Sequence, residues 1–451
     1  MRPIDLHITS TNDYKALTLD QKIAFLAALS GENMVITGGG GSGKSHLIAA
    51  LARHHRGIII CGSTGISAVG IDGVTMDSLF GFGPYFIAPD EADDPPVYVK
   101  KRFKDVRCIL LDEASMTRID RFESMNKRLQ AIKNNKKPFG GLQIILCGDF
   151  CQLKPILSKK AGYIHIYREL FGQKLYLFES ELYQKAAFTP YVMTQYIRQG
   201  NEEQKRVLRN LRMGHNLKDA IEVINRMATG TPTDQSIYLC GNNEQADRIN
   251  QQRYQQLAGA EKSFYGLRKG KFKQLPIDET VTLKIGARVM VCANNTEGGY
   301  RNGDRGTVIR FTSNSALINL DRGPTVDVGY YEWTEHTFTG PAESESGQGS
   351  RTPEGTYSQI PLKLAYAITV HKSQGLTLDD VVLDLSTDMW EESQSYVALS
   401  RVRDFARLHL TRPLRLSDIK INRKAIAFTL DISRQAIARR ADDLVRFQIA
   451  S

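Results

Sequence analysis

No apolar run in this 451-residue chain reaches the length of a membrane span. Its first residues, Met1-Arg2-Pro3-Ile4-Asp5-Leu6-His7, carry neither an apolar signal core nor an arginine-rich amphipathic presequence. The expectation is a cytoplasmic protein that does not engage a membrane. Cysteine is also scarce: there are six, at positions 61, 108, 147, 151, 240 and 292, and none forms a C-x-x-C pair. Several sit inside apolar, strand-like runs, which excludes a disulfide framework and a cysteine zinc site and leaves reduced, packed thiols. Acid is in deficit, with 49 Asp and Glu against 59 Lys and Arg; the net charge of +10 suits a polyanionic partner. From Thr411 onward, nine Lys or Arg stand against four Asp, a stretch that reads either as a helical nucleic-acid contact or as a solvated tail. With 41% apolar and 24% charged residues, nothing calls for bulk disorder, and the length calls for two or three domains.

What is present is organised around Gly38 to Ser45, Gly-Gly-Gly-Gly-Ser-Gly-Lys-Ser. Gly38 and Gly43 bracket four residues ahead of Lys44 and Ser45, which is the G-x-x-x-x-G-K-[ST] phosphate-binding loop. The run Met34-Val35-Ile36 before it reads as a buried strand, and His46 to Ala52 after it as a helix. Glycines there, Gly41 included, turn backbone N–H groups inward on a polyphosphate, and Ser42 shares the loop. Lys44 reaches the β- and γ-phosphates, and the Ser45 hydroxyl ligates Mg²⁺.

Further along, Cys108-Ile109-Leu110-Leu111 delivers Asp112 and Glu113 at a strand end. This is a Walker B strand, with Asp112 for Mg²⁺ and Glu113 to polarise the attacking water. Gln143 to Cys147 is another buried strand. It ends in Gly148-Asp149-Phe150-Cys151-Gln152, where Gln152 can sense a γ-phosphate. Gln21 follows Thr18 by three residues and reads either as the far member of a capping box or as the reader of an adenine edge. Ser63 and Thr64, after the strand-like Gly57 to Cys61, and Thr75 and Ser78 place hydroxyls at strand and helix ends on the ligand face of an α/β sheet. Phe80, Phe82, Tyr85 and Phe86 form one aromatic cluster, and Phe264, Tyr265 and Phe272 lie among lysines and arginines in another. Each could stack bases or simply pack in a core.

These motifs, in this order, resemble those of superfamily one DNA helicases of the Pif/RecD group. Met193-Thr194-Gln195-Tyr196-Ile197-Arg198-Gln199 is similar to their fourth motif, whose arginine, here Arg198, contacts the γ-phosphate from a second domain. Leu283 to Met290 and Asn302 to Val308 resemble the strands around the family's small inserted barrel. Ala367-Ile368-Thr369-Val370-His371-Lys372-Ser373-Gln374-Gly375-Leu376-Thr377 resembles the fifth motif, and Tyr396 to Val402, containing Arg401, the sixth. The chain departs from the family where Lys154 takes the place of the first of two prolines.

The resemblance implies an α/β fold of two tandem RecA-like P-loop domains with a small β-barrel (SH3-like) insertion in the second. The boundaries expected are 1–188 with an insertion near 83–100, 189–410 interrupted near 295–362, and a basic segment 411–451, with Pro341 to Ser350 as a flexible loop. ATP and Mg²⁺ are the implied cofactors, held by Gln21, the phosphate loop, Asp112 and Gly375. Arg198 and Arg401 complete catalysis when the cleft closes, and Ser63, Thr64, Thr75, Ser78, Thr369, His371 and Lys372 grip the strand. The implied activity is ATP-driven unwinding of DNA, 5′ to 3′, by a monomer of bacterial or phage type acting on single strands and duplex junctions. The rivals are an RNA helicase or remodeller, an ATP-gated single-strand-binding accessory protein that does not unwind, and a ring-forming ATPase. The ring is disfavoured because both finger arginines lie in one chain.

Overall fold

A computed structural model describes residues 6–63, 74–82, 92–157, 161–270, 275–295, 297–339 and 350–449. It divides into two compact units, Met1–Pro232 together with Val370–Ser451, and Thr233–Thr369.

The first unit is an α/β fold built on one parallel sheet. Its strands are β1 (Met34–Gly38), β2 (Ile58–Gly62), β3 (Val74–Thr75), β4 (Cys108–Asp112), β5 (Gln143–Gly148) and β6 (Thr189–Met193), in the order β3-β2-β4-β5-β1-β6. A parallel sheet is covered on both faces, which is why these strands read as unbroken apolar runs. Alternation within β4 divides the core: Ile109 and Leu111 face a layer with Phe80, Phe103, Phe122 and Phe150, while Cys108 and Leu110 face one with Phe25, Leu47 and Leu51. The pairing of Thr37 with Gly148 sets the end of β5 level with the start of the phosphate loop, so Asp149 emerges beside it.

Two expectations change here. Thr189–Met193 pairs in parallel with Met34–Gly38, so the first sheet runs past residue 188 and the chain from 370 onward returns to the same unit. The basic C-terminal stretch is neither a free tail nor a wholly solvated helix. The helix Arg423–Arg446 lays Phe428 flat on Phe178, ring centroids 4.1 Å apart, and edge-on to Phe150 at 4.9 Å. Arg440 pairs with Asp20 at 2.9 Å, Arg446 with Glu32, and Lys424 with Glu179. Three of the nine basic residues, Lys424, Arg440 and Arg446, thus tie the helix to the rest of its own unit.

In the second unit, β7 (Ile237–Cys240) pairs in parallel with β18 (Ala367–Thr369). Between them lie antiparallel strands: β8 (Glu261–Tyr265), β9 (Leu267–Gly270), β10 (Thr280–Lys284), β11 (Arg288–Val291), β12 (Arg305–Phe311), β13 (Ser315–Leu320), β14 (Thr325–Gly329), β15 (Tyr331–Thr339), β16 (Ser350–Gln359) and β17 (Leu362–Leu364). Five of these form the sheet β14-β13-β12-β11-β17. Val289, Val291, Val308, Ile318 and Val328 fill its core. The β-rich region thus starts at Glu261, ahead of the expected 295. Residues 83–91 of the expected first insertion and 341–349 of the expected loop lie outside the described residues, and 97–102 are helical.

Five of the six cysteines are buried, as expected of packed thiols. Among the described residues no helix is long and apolar enough to cross a membrane.

Candidate nucleotide site

The phosphate loop leaves β1 at Gly38 and enters the helix Lys44–His54 through Gly41 and Gly43, whose φ values of +87° and +83° favour glycine. At Gly41 an added Cβ would also lie 2.6 Å from Cβ of Arg198. Lys44 Nζ donates to the carbonyls of Gly38 at 2.8 Å and Gly39 at 3.1 Å, which sets the ammonium in the curl of the loop.

The loop forms one wall of a cavity of about 450 Å³. Asp112, Glu113 and Gln152 line a second wall, Arg198 and Arg401 a third, and Gly375 to Thr377 a fourth. All of these residues belong to the first unit. A larger depression of about 890 Å³ lies elsewhere on that unit, between Ile119 and Lys185, and shares none of these lining residues.

At the end of β4 two carboxylates meet. Burial, with the charge of Glu113 beside it, pushes the Asp112 carboxyl up to about 7, against the pull of Lys44. Glu113 sits at φ 50°, a conformation a side-chain-bearing residue adopts at a cost of roughly 1–3 kcal/mol. Its own N–H donates to Asp112 Oδ1 at 2.9 Å, Met116 N and Ser63 Oγ donate to its carbonyl at 2.9 and 2.8 Å, and Gln374 Nε2 donates to its Oε2 at 3.1 Å. Gln152 donates weakly from Nε2 to Asp149 at 3.4 Å, while its buried Oε1 has no partner among the described residues.

The residues fit a divalent cation. Two crowded carboxylates gain from a positive neighbour, and Ser45 lines the same cavity. Among the described residues no group of three or more His, Cys, Asp or Glu could cage a metal. Ser45 and Asp112 are the residues that would hold such an ion, which would supply positive charge beside a bound polyphosphate.

On the opposite wall two guanidiniums are desolvated together. Burial and the nearby charge of Arg401 bring Arg198 down to about 9, and burial lowers Arg401 as well, with Glu113 countering. Such a pair is stabilised by a polyanion lodged between it and Lys44.

Arg198 does not arrive from a separate domain. The backbone N–H groups of Ile197 and Arg198 donate to the carbonyl of Gly41 at 2.8 and 3.1 Å, so this arginine travels with the phosphate loop. Gln21 fills one of its two alternatives and adds a contact: Oε1 accepts from Thr18 N at 2.8 Å in a capping box, and Nε2 donates to Gly43 O at 2.9 Å.

The candidate strand contacts are scattered in character. Ser63 is bound to Glu113, and Thr64 lies outside the described residues. Thr75 caps a short helix by accepting from Ser78 N at 3.1 Å, and Ser78 itself is exposed. Thr369 is buried in the second unit. His371 pairs with Glu391 at 2.8 Å, and Lys372 is exposed beside it. Phe80 and Phe82 stack in the core with Phe103, and Phe264 is buried, so these three rings are not base platforms. Tyr265 is exposed; Tyr85, Phe86 and Phe272 lie outside the described residues.

The family model for PIF1-like helicases matches residues 12–236. The Pif1 ATP-dependent DNA helicase of Bdellovibrio bacteriovorus is 31% identical over 415 residues, covering 87% of both chains. The chain belongs to the PIF1-like helicase family. Solved PIF1 structures agree: Bacteroides Pif1 in complex with ADP-AlF3 and single-stranded DNA superposes with a TM-score of 0.79 at 27% identity, covering 93% of this chain and 98% of that one. A structure of two coordinating Pif1 helicases at forked duplex DNA gives 0.78 at 26% identity, with 93% and 98% covered. Vertebrate PIF1 relatives are longer, and this chain spans 60–61% of them.

The PIF1-like model match takes in the loop, Asp112, Glu113, Gln152 and Arg198, and stops short of Gly375 and Arg401. Sequence reasoning passed over Gln374 as a partner of Glu113, although it stood inside the quoted fifth motif, because nothing local says which carboxylate a glutamine will find.

Proposed function

We propose that this chain is an ATP-dependent DNA helicase that moves 5′ to 3′ along single-stranded DNA and unwinds duplex ahead of it. One observation carries the reading: Lys44, Asp112, Glu113, Arg198 and Arg401 converge on one cavity that a triphosphate would bridge. In it Lys44, Arg198 and Arg401 balance the charge of the transferred phosphoryl group, Glu113 orients the attacking water, and Gln152 registers the γ-phosphate. When bound, Mg²⁺ at Ser45 and Asp112 neutralises charge on the β- and γ-phosphates. The backbone bonds from Ile197 and Arg198 to Gly41 support a preset Arg198.

The finer architecture, a second RecA-like domain carrying a small SH3-like barrel, belongs to this proposal. It is supported by the parallel β7–β18 pair and by the five-stranded antiparallel sheet around Val289 and Ile318. The strand-gripping roles of Ser63, Thr64, Thr75, Ser78, Thr369, His371 and Lys372 belong to this proposal as well. Cytoplasmic working conditions are supported by a sequence with six scattered cysteines and no C-x-x-C pair. Action as a monomer is supported by both finger arginines lying in this chain. The deciding assay is unwinding of duplexes with 5′ or 3′ tails of DNA or RNA over a range of protein concentration. Unwinding from 5′ DNA tails, linear in protein, is expected. Unwinding only from 3′ tails overturns the polarity, RNA-only stimulation overturns the substrate, ATP turnover without strand displacement overturns the helicase activity, and a second-order concentration dependence overturns the monomer.

A further inference from the structure

Behind the nucleotide cavity a chain of buried polar groups runs from the helix Glu202–Met213 to the phosphate loop. Arg212 Nε donates to Asp149 Oδ1 at 2.9 Å, and Tyr396 Oη donates to Asp149 Oδ2 at 2.7 Å. The backbone N–H of Gly40 in turn donates to Tyr396 Oη at 2.9 Å. Asp149 is 0% exposed and Tyr396 4%. None of the three side chains lines the cavity.

The arrangement is specific in three ways. A buried aspartate paired with arginine is an ionised acceptor, and a hydroxyl donating to it forms a charge-assisted bond that fixes the hydroxyl proton. With that proton committed, the remaining acceptor capacity of Tyr396 Oη meets Gly40, an N–H of the phosphate loop itself. Tyr396 also stands on the same helix, Gln394–Arg401, as Arg401, five residues apart and so about 7.5 Å along the axis. The far end of that helix touches the same glycine: a Cβ on Gly40 would lie 2.9 Å from Ser400 Cβ and 3.2 Å from Arg401 Nη2. Gly40 is therefore gripped from both ends of one helix, by a hydrogen bond at Tyr396 and by close packing at Ser400 and Arg401. Two points of contact fix both the spacing and the rotation of the helix relative to the loop.

We propose that Tyr396 is a positioning residue for the finger Arg401: its hydroxyl, oriented by Asp149 and Arg212, sets the helix Gln394–Arg401 against Gly40 so that the Arg401 guanidinium reaches the transferred phosphoryl group. The inference rests on the reading of the cavity as an ATP-hydrolysing site. Asp149 carries a second link, since Cys151 N donates to its Oδ1 at 3.2 Å and Gln152 Nε2 to its Oδ2 at 3.4 Å. The same carboxylate thus holds the finger helix and the γ-phosphate sensor in one register.

The test is a kinetic cycle on the full chain with single-stranded DNA and saturating Mg²⁺, comparing wild type, Tyr396→Phe, Arg401→Ala and the double variant. Tyr396→Phe keeps the ring and removes the bridge. Its kcat is expected to fall roughly ten- to a hundredfold, the scale of a misplacement of about 1 Å. The KM for ATP and the affinity for ADP should stay within about twofold and the unfolding midpoint within a few degrees, because Lys44 and the loop still hold the nucleotide. In the Arg401→Ala background the same change should slow turnover no further, since a residue that acts through Arg401 has nothing left to place. An unchanged kcat in Tyr396→Phe, or an equal slowing with and without Arg401, overturns the proposal. So does a loss of stability that accounts for the whole effect. Asp149→Asn, which keeps shape and an acceptor but loses the charge, supplies an independent arm and should reproduce the drop in kcat at unchanged KM. A wild-type chain that hydrolyses no ATP with any nucleic acid would sink the reading of the cavity itself, a result these variants cannot mimic.

Discussion

Gln374 donates its side-chain amide to the Glu113 carboxylate over 3.1 Å, joining residues 261 positions apart in the chain. The contact turns the Glu113 carboxylate towards the segment that carries Gly375. If Glu113 acts as the water-orienting base, Glu113→Gln should lower kcat for ATP hydrolysis by roughly 10²- to 10⁴-fold while leaving nucleotide binding nearly intact. Gln374→Ala, which frees the carboxylate without removing it, should cost less, about tenfold. Phosphate release at saturating ATP, set beside fluorescent ADP titration, separates the two. Equal losses in both variants would mean that Gln374 meets the nucleotide directly.

How legible this was depends on how local the signal is. Gly38 to Ser45, Asp112–Glu113 and Asp149–Gln152 each follow a short apolar run, so strand, loop and chemistry are written in consecutive residues. The sheet neighbours of Thr189–Met193 are not. A five-residue strand containing Pro190 carries no mark of which sheet it joins, so residue 188 looked like a border. The C-terminal helix misled for a related reason. Its charges are visible in sequence, whereas the acids that absorb them, Asp20, Glu32 and Glu179, lie hundreds of residues away. Asp149 and Tyr396, separated by 247 positions, belong to the same class.

If the C-terminal helix is an integral strap, its contribution is to stability before nucleic-acid affinity. Phe428→Ala removes a ring stacked on Phe178 and edge-on to Phe150 and should destabilise the first unit by about 2–4 kcal/mol. Arg434→Glu, at an exposed position, should change stability by less than about 0.5 kcal/mol. Urea unfolding gives both numbers. A large loss of single-strand affinity in folded Arg434→Glu would restore a nucleic-acid role to this helix.

Gly41→Ala tests the coupling of loop to arginine. The substitution meets an unfavourable φ of +87° and would set its Cβ 2.6 Å from Cβ of Arg198. Both nucleotide affinity and kcat should therefore fall, in contrast to Arg198→Ala, where kcat should fall far more than affinity. Matching KM and kcat profiles for the two variants would argue that the loop and Arg198 move independently.

The buried pair of Asp149 and Arg212 gives a prediction in pH. Burial alone would raise the Asp149 carboxyl, yet the charges of Arg212 and Lys44, with the bonds from Tyr396 and Arg212, hold it below its ordinary value of 3.8. The folded state therefore binds this proton less readily than the unfolded chain. The stabilisation is fully present above pH 3.8 and drains away as pH falls through the lower folded value. Asp149→Asn has no such proton to bind. Its stability deficit relative to wild type should be largest from pH 5 upward and should narrow towards pH 3, when midpoints of urea unfolding are compared across that range. Arg212→Met should be worse than Asp149→Asn at neutral pH, by about 3–5 kcal/mol relative to wild type, because it leaves a buried carboxylate uncompensated. It should also reverse the slope, gaining stability as acid neutralises that charge. A pH-independent gap in both variants would show that the pair contributes shape and hydrogen bonds while its charges contribute nothing to the fold.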